Sequence, residues 1–183
     1  MARIPLKGRA LMRLKKRRKT IRTAMIVSEI VAGLMILALI LPVLLKERVR
    51  GDVTVPEIRQ ALESVTYAGE ADTLKQPGDA MDVRRIYRIN DPAPDSFYVR
   101  LPESNMDVTE EIFLIAENEE SAEDYLVRLE QRLDSRKRDF ESYGTNQMKL
   151  LDSAVIERKG KYVFLIISPK AEEKKSAILD VIN

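Results

Sequence analysis

The fold that we predict for this chain of 183 residues depends on one stretch, Ala154-Val155-Ile156-Glu157-Arg158-Lys159-Gly160-Lys161-Tyr162-Val163-Phe164-Leu165-Ile166-Ile167. Two β-rich runs flank Lys159-Gly160, where glycine supplies the positive φ of a tight turn. The second run is apolar at every position, which is typical of a central strand covered on both faces. The stretch therefore predicts a β-hairpin inside a sheet with packing on each side.

Two further strands are predicted upstream of this hairpin. Ser96 to Leu101 alternates loosely between polar and apolar residues, and Pro102 ends the run. Glu111 to Ala116 is a compact apolar run of strand length. The sheet is therefore expected to have about four strands.

Four helices are predicted around these strands. The first begins at Thr54, where a threonine cap, an early proline and Glu57 form a helix-start signature. The others are expected from Asp79, from about Glu119 to Tyr143, and from about Ala171. The polar stretch from Tyr67 to Gly78 is predicted to be a loop. This order of elements predicts an α+β domain on an antiparallel sheet.

The long helix from Glu119 to Tyr143 has an amphipathic pattern. Either Asn118 or Ser121 is suited to cap it. Its predicted buried stripe consists of Ala122, Leu126, Leu129, Leu133, Phe140 and Tyr143. Four charged residues are predicted to cover the solvent side, namely Arg128, Glu130, Arg132 and Arg138.

Charge is segregated along the sequence. Residues 1–22 contain ten lysines and arginines and no acid, whereas residues 46–183 contain 21 cations and 28 acids. Two regions of opposite sign predict two environments for one chain.

A long apolar segment lies between these regions. Ala24 to Leu45 contains only Ser28 and Glu29 as polar residues, and as a helix it would be about 33 Å long. A buried helix of a soluble protein would not have ten cations beside it. A cleaved signal peptide would have a shorter apolar region and a small-residue cleavage site. We therefore predict an uncleaved transmembrane helix at 24–45.

The flanking cations predict the orientation. Because lysine and arginine concentrate on the cytoplasmic side, the N-terminus is expected inside the cell, with the C-terminal domain extracellular and the chain spanning the plasma membrane once. The predicted segments are a cytoplasmic tail at 1–23, the membrane helix at 24–45, a linker at 46–53 and an α+β domain at 54–183. The basic run Lys15 to Lys19 resembles a nucleic-acid patch, but beside a membrane helix we assign it to topology and lipid attraction, and predict no nucleic-acid partner.

Ala24, Ser28 and Ala32 form a small-residue stripe along the predicted membrane helix. Such stripes allow two helices to approach closely. We therefore hypothesise that the chain forms a homodimer through this face of the helix.

The composition excludes several chemistries. The sequence has no cysteine and no histidine. Disulfides, Cys/His zinc sites and catalytic triads with histidine or cysteine are thereby excluded. No glycine-rich phosphate loop is present, and the sequence predicts no cofactor and no metal.

Carboxylates, lysines, tyrosines and serines remain as catalytic candidates. A pair of acids can hydrolyse glycosides, and the candidates are Glu110, Glu111, Asp107 and Asp95. Ser168 with Lys170 or Lys174 is a candidate serine–lysine dyad. No spacing among these residues is diagnostic, so we predict that the domain is not an enzyme.

Several segments of the sequence occur in a recognisable order. Glu111-Ile112-Phe113-Leu114-Ile115 is followed by Phe140-Glu141-Ser142-Tyr143, by Gln147, by Ala154-Val155-Ile156 and by Gly160 to Ser168. In this order, over about residues 54–182, they resemble the bacterial family known as domain of unknown function 4358. Its members, mostly from Firmicutes, look like small envelope domains tethered by an acylated cysteine or a transmembrane helix. The resemblance implies that location and a small domain, but no activity.

The same resemblance singles out a candidate binding surface. Asn105 and Met106 fall where that family tends to have similar residues, and Tyr143 and Gln147 belong to the matching segments. We expect Tyr143 to pack at the end of the long helix and Asn105-Met106 to shape a turn. The alternative is that Asn105, Met106, Tyr143 and Gln147 form a ligand or partner surface. The chain departs from the acylated members in having a basic tail and a helical anchor.

Three functions remain open. The favoured hypothesis is a non-catalytic interaction or sensing module of the cell envelope, with a protein or envelope component as its partner and membrane lipid around its anchor. The alternative is an envelope hydrolase that uses paired carboxylates. The third is that the basic tail is the working end and the outer domain regulates it.

Overall fold

The computed structural model describes residues 30–38, 49–66, 76–90, 96–142 and 144–183. The chain divides between Glu47 and Arg48 into two compact units. In the first unit, residues 30–38 are helical and exposed. Across the described parts of the chain, no helix combines the length and the apolar character needed to cross a membrane. The predicted cytoplasmic tail and most of the predicted membrane helix lie outside the described residues.

The second unit consists of helices and one sheet. Its helices are α1 (Val55–Val65), α2 (Ala80–Tyr87), α3 (Glu119–Phe140), α4 (Thr145–Asp152) and α5 (Ala171–Ile182). Its strands are β1 (Gln76–Pro77), β2 (Phe97–Leu101), β3 (Glu110–Ile115), β4 (Val155–Lys159) and β5 (Tyr162–Ile167). The strand order is β1-β2-β3-β5-β4, and every pairing is antiparallel. The predicted α+β class with an antiparallel sheet is confirmed.

The predicted hairpin joins β4 and β5. Lys159 pairs with Tyr162 across a two-residue turn, and Gly160 has a φ of +58°. A positive φ at the first turn residue alone is the arrangement of a type II′ turn, which suits the right-handed twist of paired strands. All six residues of β5 are buried between β3 and β4, as their apolar pattern predicts.

Helices cover both faces of the sheet. On one face, Ile112 and Leu165 pack in a core to which α2, α3 and α4 contribute. On the other, Phe113 stacks on Phe164 with ring centroids 6.4 Å apart, and α1 and α5 close this second core. The two cores explain why the central strands carry almost no exposed residues.

Side-chain caps start three of the helices. The backbone N–H and the hydroxyl of Thr54 each donate to Glu57 at 2.8 Å, which is the predicted capping box of α1. The N–H of Asp82 donates to the Asp79 carboxylate at 2.9 Å at the start of α2. Asn118 caps α3 by accepting from the N–H of Ser121 at 2.8 Å.

Two segments differ from the sequence prediction. The predicted loop from Tyr67 to Gly78 contains β1, because Gln76 and Pro77 pair with the edge of β2, where a proline is tolerated. The predicted long helix ends at Phe140 instead of Tyr143, and the unpredicted helix α4 follows. Helix α4 forms because it buries Leu151 against the first core.

The end of the predicted linker lies against the domain. The backbone N–H of Arg50 donates to the carbonyl of Ile182 at 2.8 Å, and Tyr162 donates its hydroxyl proton to the carbonyl of Arg50 at 2.7 Å. Val53 is buried in the second core. These contacts tie the entry of the chain into the domain to α5 and β5.

Candidate functional site

Strand β3 begins with two adjacent acids whose side chains leave on opposite faces of the sheet. Glu110 and Glu111 are both almost completely buried. Successive residues of a strand point to opposite sides, so one acid enters each core. A buried carboxylate is tolerated only with a cation and hydrogen-bond donors, and each acid has both.

Glu110 is held by a tyrosine and an arginine. Tyr87 donates its hydroxyl proton to Oε1 of Glu110 at 2.7 Å, and Arg132 donates from Nη2 to Oε2 at 2.7 Å. Burial, with the neighbouring carboxylate, raises the pKa of Tyr87 well above its ordinary value. Burial opposes the charge on Arg132, but the Glu110 ion pair outweighs it, so the pKa of Arg132 is raised.

Glu111 has the corresponding arrangement on the other face. Lys174 of α5 donates from Nζ to Oε1 of Glu111, and Tyr98 donates its hydroxyl proton to Oε2 at 3.3 Å. Burial, with the Glu111 charge, raises the pKa of Tyr98. Lys174 itself is fully buried.

The two adjacent acids of β3 are therefore not brought into one site. Glu110 and Glu111 lie on opposite faces of the sheet, in separate cores, so they cannot flank one glycosidic bond. The carboxylate of Asp107 accepts from the N–H of Thr109 at 2.8 Å, and Asp95 lies outside the described residues. Ser168 is buried and accepts from the backbone N–H of Lys170 at 3.1 Å, which is a turn contact.

The loop between β2 and β3 carries two of the predicted surface residues. Arg136 of α3 is buried and donates from Nη2 to the carbonyls of Asp107 at 2.7 Å and Asn105 at 3.3 Å. Its guanidinium also lies over the Phe140 ring, 4.8 Å from the centroid. Asn105 and Met106 are thereby presented to solvent, and Met106 is 60 % exposed.

The other predicted residues have separate positions. Oε1 of Gln147 accepts from the N–H of Val108 at 3.3 Å, so Gln147 fixes the same loop from α4. Tyr143, Ala24 and Ser28 lie outside the described residues, and Ala32 is exposed on the helical segment at 30–38. A binding role for these residues stays a prediction.

Two clefts open on either side of Arg132. The first has a volume of about 440 Å³ and is lined by residues of mixed charge, among them Asp82, Glu103, Asn105 and Arg136. The second, of about 640 Å³, lies between the end of α2 and the middle of α3. It is lined by Arg85, Ile86, Tyr87, Arg88, Arg128, Gln131, Arg132, Ser135 and Arg138. We call the second cleft the arginine cleft.

Arg88 has an unusual backbone at the edge of the arginine cleft. It follows the last residue of α2 with φ 58° and ψ 30°, the left-handed conformation in which glycine or asparagine is usual. Within the described residues it is the only non-glycine residue with a positive φ. The residues on either side of it, Tyr87 and Ile89, are both buried.

The helical periodicity of α3 does not predict the buried contacts of Arg132 and Arg136. It placed Arg132 on the solvent side of α3, but the Arg132 side chain is only 23 % exposed and reaches the buried Glu110. Arg136 received no assignment and is buried. The signal that existed was the pair of acids at the start of an otherwise apolar strand, because buried acids need cations.

Among the residues that the structure describes, no three carboxylates come together in a group that would hold a metal ion. The arginine cleft has the opposite character, since its lining includes five guanidinium groups and no carboxylate.

Comparison with known proteins identifies one family. No curated protein and no solved structure matches the chain. Residues 68–168, more than half of the chain, match the family described as Domain of unknown function (DUF4358). This range contains β1 to β5, helices α2 to α4 and the whole arginine cleft, and leaves out α1 and α5. The chain therefore belongs to the DUF4358 family.

Proposed function

We propose that this chain is a non-catalytic interaction or sensing module of the bacterial cell envelope, anchored in the plasma membrane with its folded domain outside the cell. The anchor and orientation rest on the apolar segment at 24–45 and on the ten cations that precede it. The partner is a protein or an envelope component. The Ala24-Ser28-Ala32 stripe supports a homodimer through the anchor.

One observation carries the binding role. The two acids best suited to hydrolysis are buried in ion pairs on opposite faces of the sheet, whereas two accessible polar clefts lie around Arg132. Concave sites with a few converging polar groups are typical binding sites. This arrangement favours ligand recognition over paired-carboxylate hydrolysis.

The location is tested by cysteine labelling, because the chain has no cysteine of its own. We expect Met106→Cys to react with a membrane-impermeant maleimide in intact cells. Lys7→Cys is the matched control and should react only after permeabilisation. Labelling of both positions, or of neither, in intact cells contradicts the proposed topology.

The binding role is tested by crosslinking in intact cells with the full-length chain as bait. A partner that survives solubilisation and is absent from a strain without the bait supports it. Incubation of the purified chain with isolated envelope material tests the competing hydrolase. Release of new reducing ends that stops in Glu110→Gln, while the variant keeps its fold, would overturn the non-catalytic assignment.

The dimer is tested separately. We expect Ser28→Leu to reduce a crosslinked dimer, because a large side chain keeps the two helices apart. An unchanged dimer yield removes the stripe as the interface.

A further inference from the structure

The arginine cleft concentrates positive charge on a domain that is acidic as a whole. Five of the 21 cations between residues 46 and 183 line it, although that region contains 28 acids. Gln131 and Ser135 add neutral hydrogen-bonding groups to the lining. A cleft of about 640 Å³ with this lining has room for a small ligand that carries several negative charges.

Three of the five arginines form ion pairs with carboxylates behind or beside the cleft. Arg132 pairs with Glu110, Arg85 with Asp82 at 2.8 Å, and Arg128 uses Nε to pair with Asp124 at 2.8 Å. Each guanidinium has five N–H donors in a planar fork, so one such contact leaves donors for a ligand. The buried Glu110 fixes the direction of the Arg132 donors before a ligand arrives.

The remaining two arginines supply charge that the described part of the domain does not neutralise. Neither Arg88 nor Arg138 makes an ion pair with a described residue, and both are exposed. Arg88 also has the left-handed backbone where glycine is the usual residue. A strained residue kept at a cleft is an observation that points to a role for its side chain.

We propose that the arginine cleft binds phosphate groups of an anionic ligand. This inference rests on the proposed binding function and names the chemistry of the ligand. Guanidinium forks match phosphate oxygens in two parallel hydrogen bonds, and a phosphate carries more charge than a single carboxylate. Arg132, which Glu110 holds, forms the base of the cleft. Arg88 at the end of α2 and Arg138 of α3 contact the ligand from the two sides.

The test is calorimetric titration of the full-length chain, in a maltoside detergent that contains no phosphate, with sodium tripolyphosphate. The cleft variant is Arg88→Gln/Arg138→Gln. The matched control is Arg59→Gln/Lys149→Gln, which removes two exposed cations outside the arginine cleft while the basic N-terminal tail stays intact in both. We expect affinity to fall about tenfold or more in the cleft variant, since hydrogen bonds to charged groups are lost, and to change less than about twofold in the control.

Equal weakening in both variants, or none in either, overturns the proposal, because binding then belongs to the tail or to diffuse charge. Tricarballylate, a tricarboxylate, is the chemical control, and equal affinity for it overturns phosphate as the ligand class. Arg88→Gly relieves the backbone strain and removes the guanidinium, so it should also weaken binding. If it binds as tightly as the parent chain, Arg88 is not a ligand contact and the proposed cleft is wrong.

Two further arms separate the sources of phosphate and the two proposals. If phosphatidylglycerol doped into the micelles displaces tripolyphosphate, the source of the phosphate is a lipid headgroup. If the lipid does not displace tripolyphosphate, the ligand is a soluble phosphate compound. Orthophosphate released from tripolyphosphate would overturn the non-catalytic function and leave the site intact. An envelope partner captured equally by the parent and the cleft variant, without cleft-dependent phosphate binding, would keep the proposed function and overturn this inference.

Discussion

Lys174 of α5 and Glu111 of β3 form an ion pair that is closed to solvent on both sides, with side-chain exposures of 0 % and 2 %. The residues are 63 positions apart in the chain, so the pair joins the last helix to a central strand. Tyr98 completes the hydrogen bonding of the carboxylate from β2. A buried pair of this kind has a large desolvation cost that only its own partners offset.

Removing one partner should therefore destabilise the domain far more than removing both. We expect Lys174→Met to lower the free energy of unfolding by about 3–5 kcal/mol, because an unpaired carboxylate remains buried. Lys174→Met/Glu111→Gln should recover much of that loss, since glutamine still accepts from Tyr98 without a charge. Urea unfolding of the three proteins measures both differences. A double variant less stable than Lys174→Met would contradict this account of the pair.

Relaxing the backbone at position 88 should stabilise the domain. Arginine in the left-handed conformation costs about 1–2 kcal/mol, and glycine removes that cost while adding freedom to the unfolded chain. We expect Arg88→Gly to raise the free energy of unfolding by about 0.5–1 kcal/mol, the part that remains after these opposing effects. Arg88→Gln, which keeps the strained backbone, should leave stability nearly unchanged, and a similar gain in both variants would show that charge, not φ, is responsible.

The junction of α3 and α4 should not accept a side chain at Gly144. A Cβ there would stand 2.5 Å from Cδ1 of Phe140, whose ring is buried beneath the Arg136 guanidinium. We expect Gly144→Ala to destabilise the domain by about 1–3 kcal/mol through overpacking, as thermal unfolding would show. Gly51→Ala is the control, because a Cβ at Gly51 has no atom within 4 Å. Equal melting temperatures for the two variants would mean that Phe140 can move aside.

The capping box of α1 predicts a pH dependence. Bonds from the backbone N–H and the hydroxyl of Thr54 lower the pKa of Glu57 below its ordinary value of 4.5. A lowered native pKa means that the stabilisation is present above 4.5 and is lost as the pH falls through the native value. We expect Glu57→Gln to be less stable than the parent chain at neutral pH and to approach it in acid. Melting temperatures over that pH range decide this, and a constant difference would exclude the carboxylate as the cause.

Local sequence patterns predicted the elements that local physics forms. The hairpin around Gly160 and the cap at Thr54 depend on residues within a few positions of each other, and the structure confirms them. Of the two candidate caps of α3, Asn118 and Ser121, the structure shows Asn118. Helix α4 is not predicted because its segment of eight residues is too short to show a helical period, and it forms through the burial of Leu151 in a core assembled from distant segments.

The candidate site was harder to predict for the same reason. The position of Arg132 depends on Glu110, which is 22 residues away, and that of Arg136 depends on carbonyls about 30 residues away. A helix period assigns such arginines to solvent, since it contains no information about their partners. Asn105 is a candidate from the sequence and lies on the wall of the first cleft, but the sequence does not predict that five arginines line the neighbouring arginine cleft.

The opposed acids of β3 also determine how that strand aligns with its neighbours. Hydrophobic alternation normally fixes register, because a shift by one residue exchanges the buried and exposed faces. In β3 both faces are buried, so apolar contacts alone would tolerate a sliding strand. Glu110 and Glu111 remove that freedom, since each meets its cation at only one alignment. The two charges at the start of β3 thus favour one register of the sheet over other registers that would bury a similar apolar surface.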